Sequence, residues 1–465
     1  MSISLSKLII YKPSAELASA LKTNHDLDKI DEYGYTPLIQ AAIINDPVKA
    51  KLLLEAGANV DLTDLTGRTP LFWAADNGNL ELCSLLINYR ANPNAYSRGG
   101  QSTLVMPTLK KQLEIKELLI KNGASIDFAQ DFLNAKLIGH SFDLEGRIDI
   151  VDTNNTFIEV ELEGFYLKFT LEIIAASLED FIHNFAAKQF KKHFPILSEI
   201  ISSFKNAARL ISWQNYLVDI KQHLEQINKL LNSFYLILPV AFGGHAITLI
   251  KYENILVRCD RGAYGKKHAT VIYYKITNPD RFTSSFCRQL LYKRQTINFI
   301  NEGLENYLGL KPLWTLNLPL QRVGNCSWAN VEAAIPAIMA AAIPHSKNTP
   351  EFKGAIDEIL ELYYFWREWN KNRNLDFCIQ SLKTANESRS ASKAALLAAI
   401  LFQDCSAENY QDQPKINKIL SIISKLQYRP LIACYTKFFS KDPNYLLWKN
   451  FSNMLEIFGV SPKPQ

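Results

Sequence analysis

A 33-residue repeat near the start of the chain is the feature that most limits what it can fold into. The tripeptide Thr36-Pro37-Leu38 recurs 33 residues later as Thr69-Pro70-Leu71, and Ser102-Thr103-Leu104 follows at the same interval. Leucine-rich triplets keep the same phase, at 52–54, 85–87 and 118–120. A unit this short cannot bury its own apolar face, so successive copies must stack on one another. The first quarter of the chain is therefore predicted to be a solenoid.

This pattern resembles the ankyrin repeat, which has a Thr-Pro-Leu turn and two short helices in each copy. Thr36 and Thr69 can cap the first helix of their copies, and the prolines that follow suit its first turn. The resemblance predicts about four repeats over residues 1–130, the first of them degenerate. Pro107 falls inside the first helix of the last copy, so that helix is expected to be kinked or shortened.

Ankyrin stacks bind proteins through their hairpin tips and inner helix face, so the resemblance implies a protein partner. The candidate partner-binding residues at these positions are Tyr33, Tyr35, Leu65, Arg68, Trp73, Asp76, Asn77, Tyr96 and Arg98. For any one of these side chains, packing within the repeat is the alternative.

Beyond residue 130 the periodicity changes. Residues 136–152 and 156–170 alternate apolar and polar side chains around a turn at 152–155, which predicts a β-hairpin. Helical periodicity follows over 171–194 and 196–231, on either side of Pro195. Strands are then predicted at 234–240, 246–252, 255–259 and 270–276. Further helices are predicted over 284–307, from Cys326 onward, and through most of 351–465.

The composition is that of an ordinary globular protein and excludes several classes. The net charge is only +5, from 51 Lys and Arg against 46 Asp and Glu, so we do not expect direct binding of nucleic acid. The seven cysteines show neither CxxC nor zinc-ligand spacing, which argues against a disulfide framework and a metal site. No signal peptide is predicted, and no apolar run reaches the ~20 residues of a membrane span. We expect a monomer that needs no cofactor.

Three short segments contain the residue types that suit covalent catalysis. Cys326 precedes a predicted helix, whose free amides and dipole lower the pKa of a thiol from ~8.5 and so favour the thiolate. His245 follows two glycines and is the candidate base, and Asp260, fifteen residues later, can orient its imidazole. Gln321, five residues before Cys326, can donate its amide to a developing oxyanion.

The order His245, Asp260, Gln321, Cys326 resembles one clan of papain-like-superfamily cysteine peptidases, that of adenain and the ubiquitin-like-protein proteases. The resemblance implies that His245 deprotonates Cys326 while Asp260 orients His245. It also implies that Gln321 and the Cys326 amide hold the oxyanion. The chain departs from the clan on both sides of the cysteine, where an acidic residue and a glycine are usual. The fold can therefore carry either an active site or an inactive pocket.

Together these features predict an α+β multidomain protein in three parts. Residues 1–130 form the ankyrin α-solenoid, residues 131–345 a cysteine-protease-like α+β domain with a helical insertion at 171–232, and residues 346–465 an all-α domain. The combination resembles the ankyrin-repeat effectors that Legionella injects into host cells by type IV secretion, which needs no N-terminal signal peptide. It implies a host protein as partner and the host cytoplasm or nucleus as destination.

Three functions remain open on this sequence. The first is a cysteine protease or isopeptidase that uses the Cys326 thiol. The second is a non-catalytic scaffold that binds a host protein and retains a protease-like pocket. The third is an acyltransferase that uses the same thiol with an acyl-CoA donor.

Overall fold

The computed structural model describes residues 4–23, 26–162, 167–214, 218–322, 324–343, 349–442 and 444–460. The chain packs into two compact units. The first consists of Met1–Arg98, Thr103–Ala124 and Gly164–Trp369, and the second of Gly99–Ser102, Ser125–Glu163 and Asn370–Gln465. Over the described ranges, no helix is both long and apolar enough to cross a membrane.

The described residues up to 121 form short helices in pairs. They are α1 (Leu5–Tyr11), α2 (Ser14–Ala20), α3 (Pro37–Ile43), α4 (Pro47–Glu55), α5 (Pro70–Asn77), α6 (Leu80–Asn88), α7 (Val105–Leu109) and α8 (Leu113–Lys121). Oγ1 of Thr36 accepts a hydrogen bond from the Ile39 amide and Oγ1 of Thr69 from the Phe72 amide, each at 3.2 Å. The repeated threonine therefore caps the first helix of its copy. Helix α7 has five residues where α5 has eight, which confirms the shortened helix predicted around Pro107.

The segment after the repeats begins with a helix rather than a strand. Helix α9 (Ile126–Ser141) is capped by Ser125, whose Oγ accepts a hydrogen bond from the Phe128 amide at 3.2 Å. The predicted hairpin follows as the antiparallel strands β1 (Arg147–Val151) and β2 (Phe157–Glu161). The strand predicted from residue 136 is wrong as far as residue 141. Helix α9 is buried around most of its circumference, so its sequence lacks the polar face that marks an amphipathic helix.

Helices follow the hairpin, as predicted. They are α10 (Leu167–Ile182), a 3-10 helix (Phe185–His193), α11 (Phe194–Ser212), a second 3-10 helix (Ile220–His223) and α12 (Leu224–Leu231). Helix α10 begins at Leu167, so the strand predicted over 156–170 is wrong at its end. Residues 163–166 and 215–217, on which these predictions also fall, lie outside the described residues.

Asp76, in the last turn of α5, connects the repeats to α10 within the first unit. Lys168 donates from Nζ to its Oδ2 at 3.0 Å, and Nζ of Lys110 lies 3.7 Å from its Oδ1. Burial alone would raise the pKa of the Asp76 carboxyl, but the charges of Lys168 and Lys110 outweigh it and lower that pKa to about 2. The neighbouring Lys111 pairs with Glu179 of α10 at 3.5 Å. Lys111 directly, and Lys110 through the Asp76 carboxylate that it shares with Lys168, thus connect the last repeat with α10.

Asp76→Ala is expected to lower the free energy of unfolding by about 2 kcal/mol, because Lys110 and Lys168 lose the carboxylate that they share. The pKa of this carboxyl is lowered, so its stabilising effect is complete above pH ~4 and is lost as the pH falls towards 2. Urea denaturation followed by tryptophan fluorescence measures the difference. Asp180→Ala, which removes an exposed partner of Lys111, is the control and should cost under about 1 kcal/mol. Equal losses for the two variants would contradict the role given to Asp76.

The sheet of the first unit is antiparallel throughout. Its strands are β3 (Leu236–Phe242), β4 (His245–Tyr252), β5 (Ile255–Cys259), β6 (Val271–Ile276) and β7 (Leu310–Leu316), paired in that order. The structure confirms the first four as predicted strands. The sequence analysis missed β7, because Lys311 and Pro312 give it the composition of a loop. Among the described strands it is the edge neighbour of β6, and an edge position tolerates a proline that cannot donate to the ladder.

The remaining helices flank this sheet or form most of the C-terminal region. They are α13 (Ala263–Lys267), a 3-10 turn (Pro279–Arg281), α14 (Ser284–Tyr292), a π-helical turn (Phe299–Gly303), α15 (Leu304–Leu308), α16 (Cys326–Glu332), α17 (Ala334–Ala341), α18 (Pro350–Thr384), α19 (Glu387–Gln403), a 3-10 turn (Tyr410–Asp412), α20 (Gln413–Ile423), a 3-10 turn (Leu426–Tyr428), α21 (Arg429–Phe439) and α22 (Leu446–Ile457). The single helix predicted over 284–307 is wrong, since α14 ends at Tyr292. At the end of this helix, Nε2 of Gln295 donates to the carbonyls of Gln289 and Lys293 at 2.7 Å each.

The mixed helix and sheet composition of the fold is confirmed. The division at residues 130 and 345 stays a prediction, and the compact units follow other limits, since residues 125–163 pack with residues 370–465. In this second unit, Asp131 of α9 pairs with Arg389 at 2.7 Å and also with Lys393, both on α19. These ion pairs join segments more than 250 residues apart, a relation that no local pattern in the sequence reveals.

Candidate functional site

The hairpin of β3 and β4 determines where His245 lies. Gly243 and Gly244 form its two-residue turn with φ values of +52° and +79°, a combination that a side chain makes costly. Phe242 and His245 are therefore the last residues to pair across the hairpin. His245 is half-buried at the first position of β4, with its ring edge against the Phe242 ring at a centroid distance of 5.6 Å.

Asp260 directly follows β5, the strand next to β4. The residue is 1% exposed. Its Oδ1 lies 3.0 Å from Nε2 of His245 and accepts from the Gly262 amide at 3.2 Å. Arg258 donates to Oδ2 at 2.9 Å. Both oxygens of this buried carboxylate are thus engaged, and one of them is fixed on the imidazole.

Cys326 is the first residue of α16 and is partly exposed. Its thiol is hydrogen-bonded to the His245 ring and to the backbone amides of Ala246 and Ser327. Because Nε2 of His245 faces Asp260, Nδ1 is the ring nitrogen left for the sulfur. Cys326, His245 and Asp260 therefore form one continuous hydrogen-bonded chain.

These contacts shift three pKa values in the direction that a thiolate–imidazolium pair requires. Hydrogen bonds to Asp260 and Cys326 raise the pKa of His245 to about 9. Burial would raise the pKa of the Cys326 thiol, but the hydrogen bonds from His245 and the Ala246 amide hold it below its usual value. Burial likewise opposes ionisation of Asp260, yet hydrogen bonds from His245 and Arg258 keep its pKa below the usual range.

The other buried thiols behave in the opposite way. Burial raises the pKa of the Cys83, Cys287 and Cys405 thiols to about 12 and that of Cys378 to about 11. Cys326 is thus set apart by its hydrogen-bond partners as well as by its position at a helix start.

Gln321 lies in the segment that leads from β7 to α16. Its backbone amide donates to the Arg261 carbonyl at 2.9 Å, and its side-chain Oε1 accepts from Nδ2 of Asn330 at 3.3 Å. Asn330 in turn donates to the carbonyl of Ala246, the residue after His245, at 2.7 Å. Gln321 is thereby connected to the other three predicted residues, with its amide nitrogen not used in this contact.

The sequence analysis gave no role in the site to Arg258, Gly262 or Asn330. Arg258 lies in the otherwise apolar strand β5, and Asn330 is a buried polar residue one turn after Cys326 on α16, so both could have been noticed as polar residues in apolar surroundings. Gly262 has an ordinary φ of −91°. Space excludes a side chain there, because a Cβ atom would lie 2.8 Å from Cε1 of His245.

Gly262→Ala is expected to slow alkylation of Cys326 by iodoacetamide at pH 7 several-fold. The added methyl group must displace the His245 ring from Asp260 or from the sulfur, which raises the pKa of the thiol. Peptide mass spectrometry after timed alkylation measures the rate. Gly354→Ala, in open space on α18, is the control and should leave the rate unchanged. An unchanged rate in Gly262→Ala would show that the ring tolerates the shift.

The candidate partner-binding residues of the repeats fall into different settings. Tyr33 and Leu65 are more than half exposed and Arg98 is exposed, whereas Tyr96 is half-buried. Trp73 contacts Tyr35 edge to face and donates to Asp64, and the Arg68 guanidinium lies over its ring at 5.0 Å. Asp76, already described, and Asn77, which donates to the Ala42 carbonyl at 3.0 Å, also make contacts inside the chain.

Comparison with known proteins first defines the class. The family model of ankyrin repeats matches residues 43–130 in three copies, so the N-terminal part is an ankyrin-repeat array and the prediction from the Thr-Pro-Leu repeat is confirmed. No curated protein sequence matches the chain at a significant level.

A solved structure then defines the family. The structure of the Legionella effector AnkH is 37% identical to this chain, with a TM-score of 0.91, and the match covers 99% of this chain and 98% of that one. The chain belongs to the AnkH family of ankyrin-repeat effectors, and the predicted resemblance to Legionella effectors is confirmed.

Proposed function

We propose that this protein is an effector that binds a host protein through its ankyrin repeats and acts on it, or on a neighbouring protein, by thiol-based acyl transfer. The hydrogen-bonded chain from Cys326 through His245 to Asp260 is the observation that carries the proposal. Delivery into the host cell through type IV secretion, with the cytoplasm or nucleus as destination, is proposed from the relation to AnkH.

The reaction begins from a Cys326 thiolate and a His245 imidazolium. The sulfur attacks a carbonyl carbon and forms a C–S bond, while the carbonyl electrons move onto oxygen. The Cys326 amide and the Gln321 side chain donate to that oxyanion. When the bond to the leaving amine or thiol breaks, His245 supplies the proton, and Asp260 stabilises the imidazolium until then. Water, activated by the neutral His245, then hydrolyses the thioester.

The recruiting surface is proposed at the tips of the repeats. Tyr33 and Leu65 offer apolar area there, and Arg98 offers positive charge. Side chains of this kind, aromatic and arginine above all, supply most of the energy in protein interfaces. Asp76 and Asn77 are left out of this surface because their side chains are engaged within the chain.

The test is a thiol-reactive activity probe applied to the full chain. Labelling should occur promptly at Cys326, should be abolished in Cys326→Ala and should be strongly reduced in His245→Ala. The internal references are Cys378 and Cys405, whose burial raises their thiol pKa values to about 11 and 12. Labelling of Cys326 no faster than of these two would refute catalysis and leave a binding scaffold.

The acyl donor distinguishes a hydrolase, which transfers the acyl group to water, from an acyltransferase, which transfers it to another molecule. A protease or isopeptidase turns over peptide or isopeptide substrates without added donor. An acyltransferase requires acyl-CoA, and a radiolabelled acetyl group from that donor would appear first on Cys326 and then on the acceptor protein. Label on the acceptor would favour the acyltransferase over the hydrolase.

A further inference from the structure

Asn330 connects the segments that carry the four predicted catalytic residues. It lies four residues after Cys326 on α16, and therefore on the same helix face, with 1% of its surface exposed. Its Oδ1 accepts from the Arg261 amide at 2.6 Å, directly after Asp260. Its Nδ2 donates to the Ala246 carbonyl at 2.7 Å, directly after His245, and to Oε1 of Gln321 at 3.3 Å.

The two backbone partners of Asn330 determine the positions of Oδ1 and Nδ2 in its side-chain amide. The Arg261 amide can only donate, so it must meet Oδ1, and the Ala246 carbonyl can only accept, so it must meet Nδ2. Asn330 therefore presents an N–H donor to Gln321, and in the Gln321 amide only Oε1 can accept that hydrogen bond. The Nε2 group of Gln321 is left for another acceptor.

We propose that Asn330 is a positioning residue that fixes the orientation of the Gln321 amide, so that an N–H group rather than a carbonyl oxygen meets the oxyanion. This inference rests on the proposed acyl transfer and adds a residue that sets the polarity of its oxyanion site. Without Asn330 the Gln321 amide can turn over, and an oxygen aimed at the oxyanion repels it instead of stabilising it.

Asn330 also acts on the thiol side of the site. Ala246 donates its amide to the Cys326 sulfur, and Asn330 holds the carbonyl of the same residue. The side chain thus connects the start of β4 with the helix that carries the cysteine. If Asn330 only held these two elements together, its loss would slow every reaction of the thiol equally. Loss of the Gln321 orientation would slow only reactions that form an oxyanion.

Two probes of the same sulfur separate these roles. Acylation by p-nitrophenyl acetate passes through an oxyanion and releases p-nitrophenolate, whereas alkylation by iodoacetamide displaces iodide and forms none. The ratio of the two rates at Cys326, corrected with Cys326→Ser, is the readout. Asn330→Ala is expected to lower this ratio by about tenfold or more. If that variant does not fold, Asn330→Ser serves in its place, because a single hydroxyl cannot reach all three partners.

A double-mutant cycle shows whether Asn330 acts through Gln321. In a Gln321→Ala background the ratio is already low, and adding Asn330→Ala should change it less than about twofold. Asn374→Ala, which removes a similarly buried amide from the second unit, is the control for loss of stability and should leave the ratio unchanged.

The outcomes are distinct. An unchanged ratio in Asn330→Ala, or an equal fall with and without Gln321, would overturn the positioning role and leave the proposed function intact. Wild-type protein that is alkylated at Cys326 but releases no p-nitrophenolate would overturn the acyl-transfer proposal itself, and this inference with it.

Discussion

At pH 7, His245→Ala should slow alkylation of Cys326 by iodoacetamide by about tenfold or more. Without the imidazolium, burial raises the pKa of the thiol instead of being outweighed, so its thiolate fraction at this pH falls to a few per cent or less. The thiolate that remains is intrinsically more nucleophilic, which offsets part of the loss. The exposed Cys434, measured in the same digest, is the internal reference and should keep its rate.

The pH profile sharpens this expectation. The raised pKa of His245 means that its charged form persists until the pH passes about 9. Wild-type alkylation should therefore begin at a pH below the usual pKa of a thiol, and acyl transfer should fall again above pH 9, where no imidazolium remains to protonate the leaving group. In His245→Ala the rise in alkylation should move to higher pH. Superimposable alkylation profiles would show that the ring does not ionise the thiol.

Much of the candidate site could be predicted because its residues lie next to turns and helix starts, which have recognisable local sequences. Two glycines mark the turn before His245, and the Gly324-Asn325 pair marks the start of the helix that Cys326 opens. Arg258 and Asn330 could not be placed in the same way. Their importance depends on which strand and helix lie beside them, and a single sequence gives residue types but not neighbours.

The fold, like the site, could be predicted where the sequence carries local signals. Repeat phase and turn residues gave the ankyrin helices and four strands, because those signals are local. Strand β7 was missed since an edge strand needs no apolar alternation, and α9 was misassigned since a helix buried all round has no polar face. The grouping of 125–163 with 370–465 depends on contacts such as that of Asp131 with Arg389, across some 250 residues of chain.

Arg258→Met is expected to lower the free energy of unfolding by about 3–5 kcal/mol, a larger loss than that expected for Asp76→Ala. Arg258 is 5% exposed. Its guanidinium donates to Asp260 at 2.9 Å, to Asn301 at 2.7 Å and to the Ile300 carbonyl at 3.1 Å. It also lies over the Tyr264 ring at 3.5 Å. Methionine fills much of the volume, but of the two cationic partners described for the buried Asp260 carboxylate it leaves His245.

The same change should weaken the site. The pKa of Asp260 rises when Arg258 is removed, so the carboxylate supports the His245 imidazolium less and the pKa of Cys326 rises in turn. The pKa of Asp260 is lowered in the folded protein, so its carboxylate stabilises the fold fully at neutral pH. The difference in stability between wild type and Arg258→Met should therefore be largest there and should shrink as the pH falls below ~4, where this group becomes protonated in the unfolded chain. Urea denaturation at several pH values measures this, alongside Cys326 alkylation.

Two further variants separate the charge from the rest of the side chain. Arg281→Met removes an exposed arginine that donates to a carbonyl and lies over a tyrosine ring. It pairs with no carboxylate in the described part of the chain, so this change should cost under about 1 kcal/mol. Arg258→Lys keeps the charge and loses the forked contacts, so it should fall between wild type and Arg258→Met in both stability and thiol reactivity. If Arg258→Met matched Arg281→Met in stability and left alkylation unchanged, the Asp260 carboxylate would not depend on this arginine.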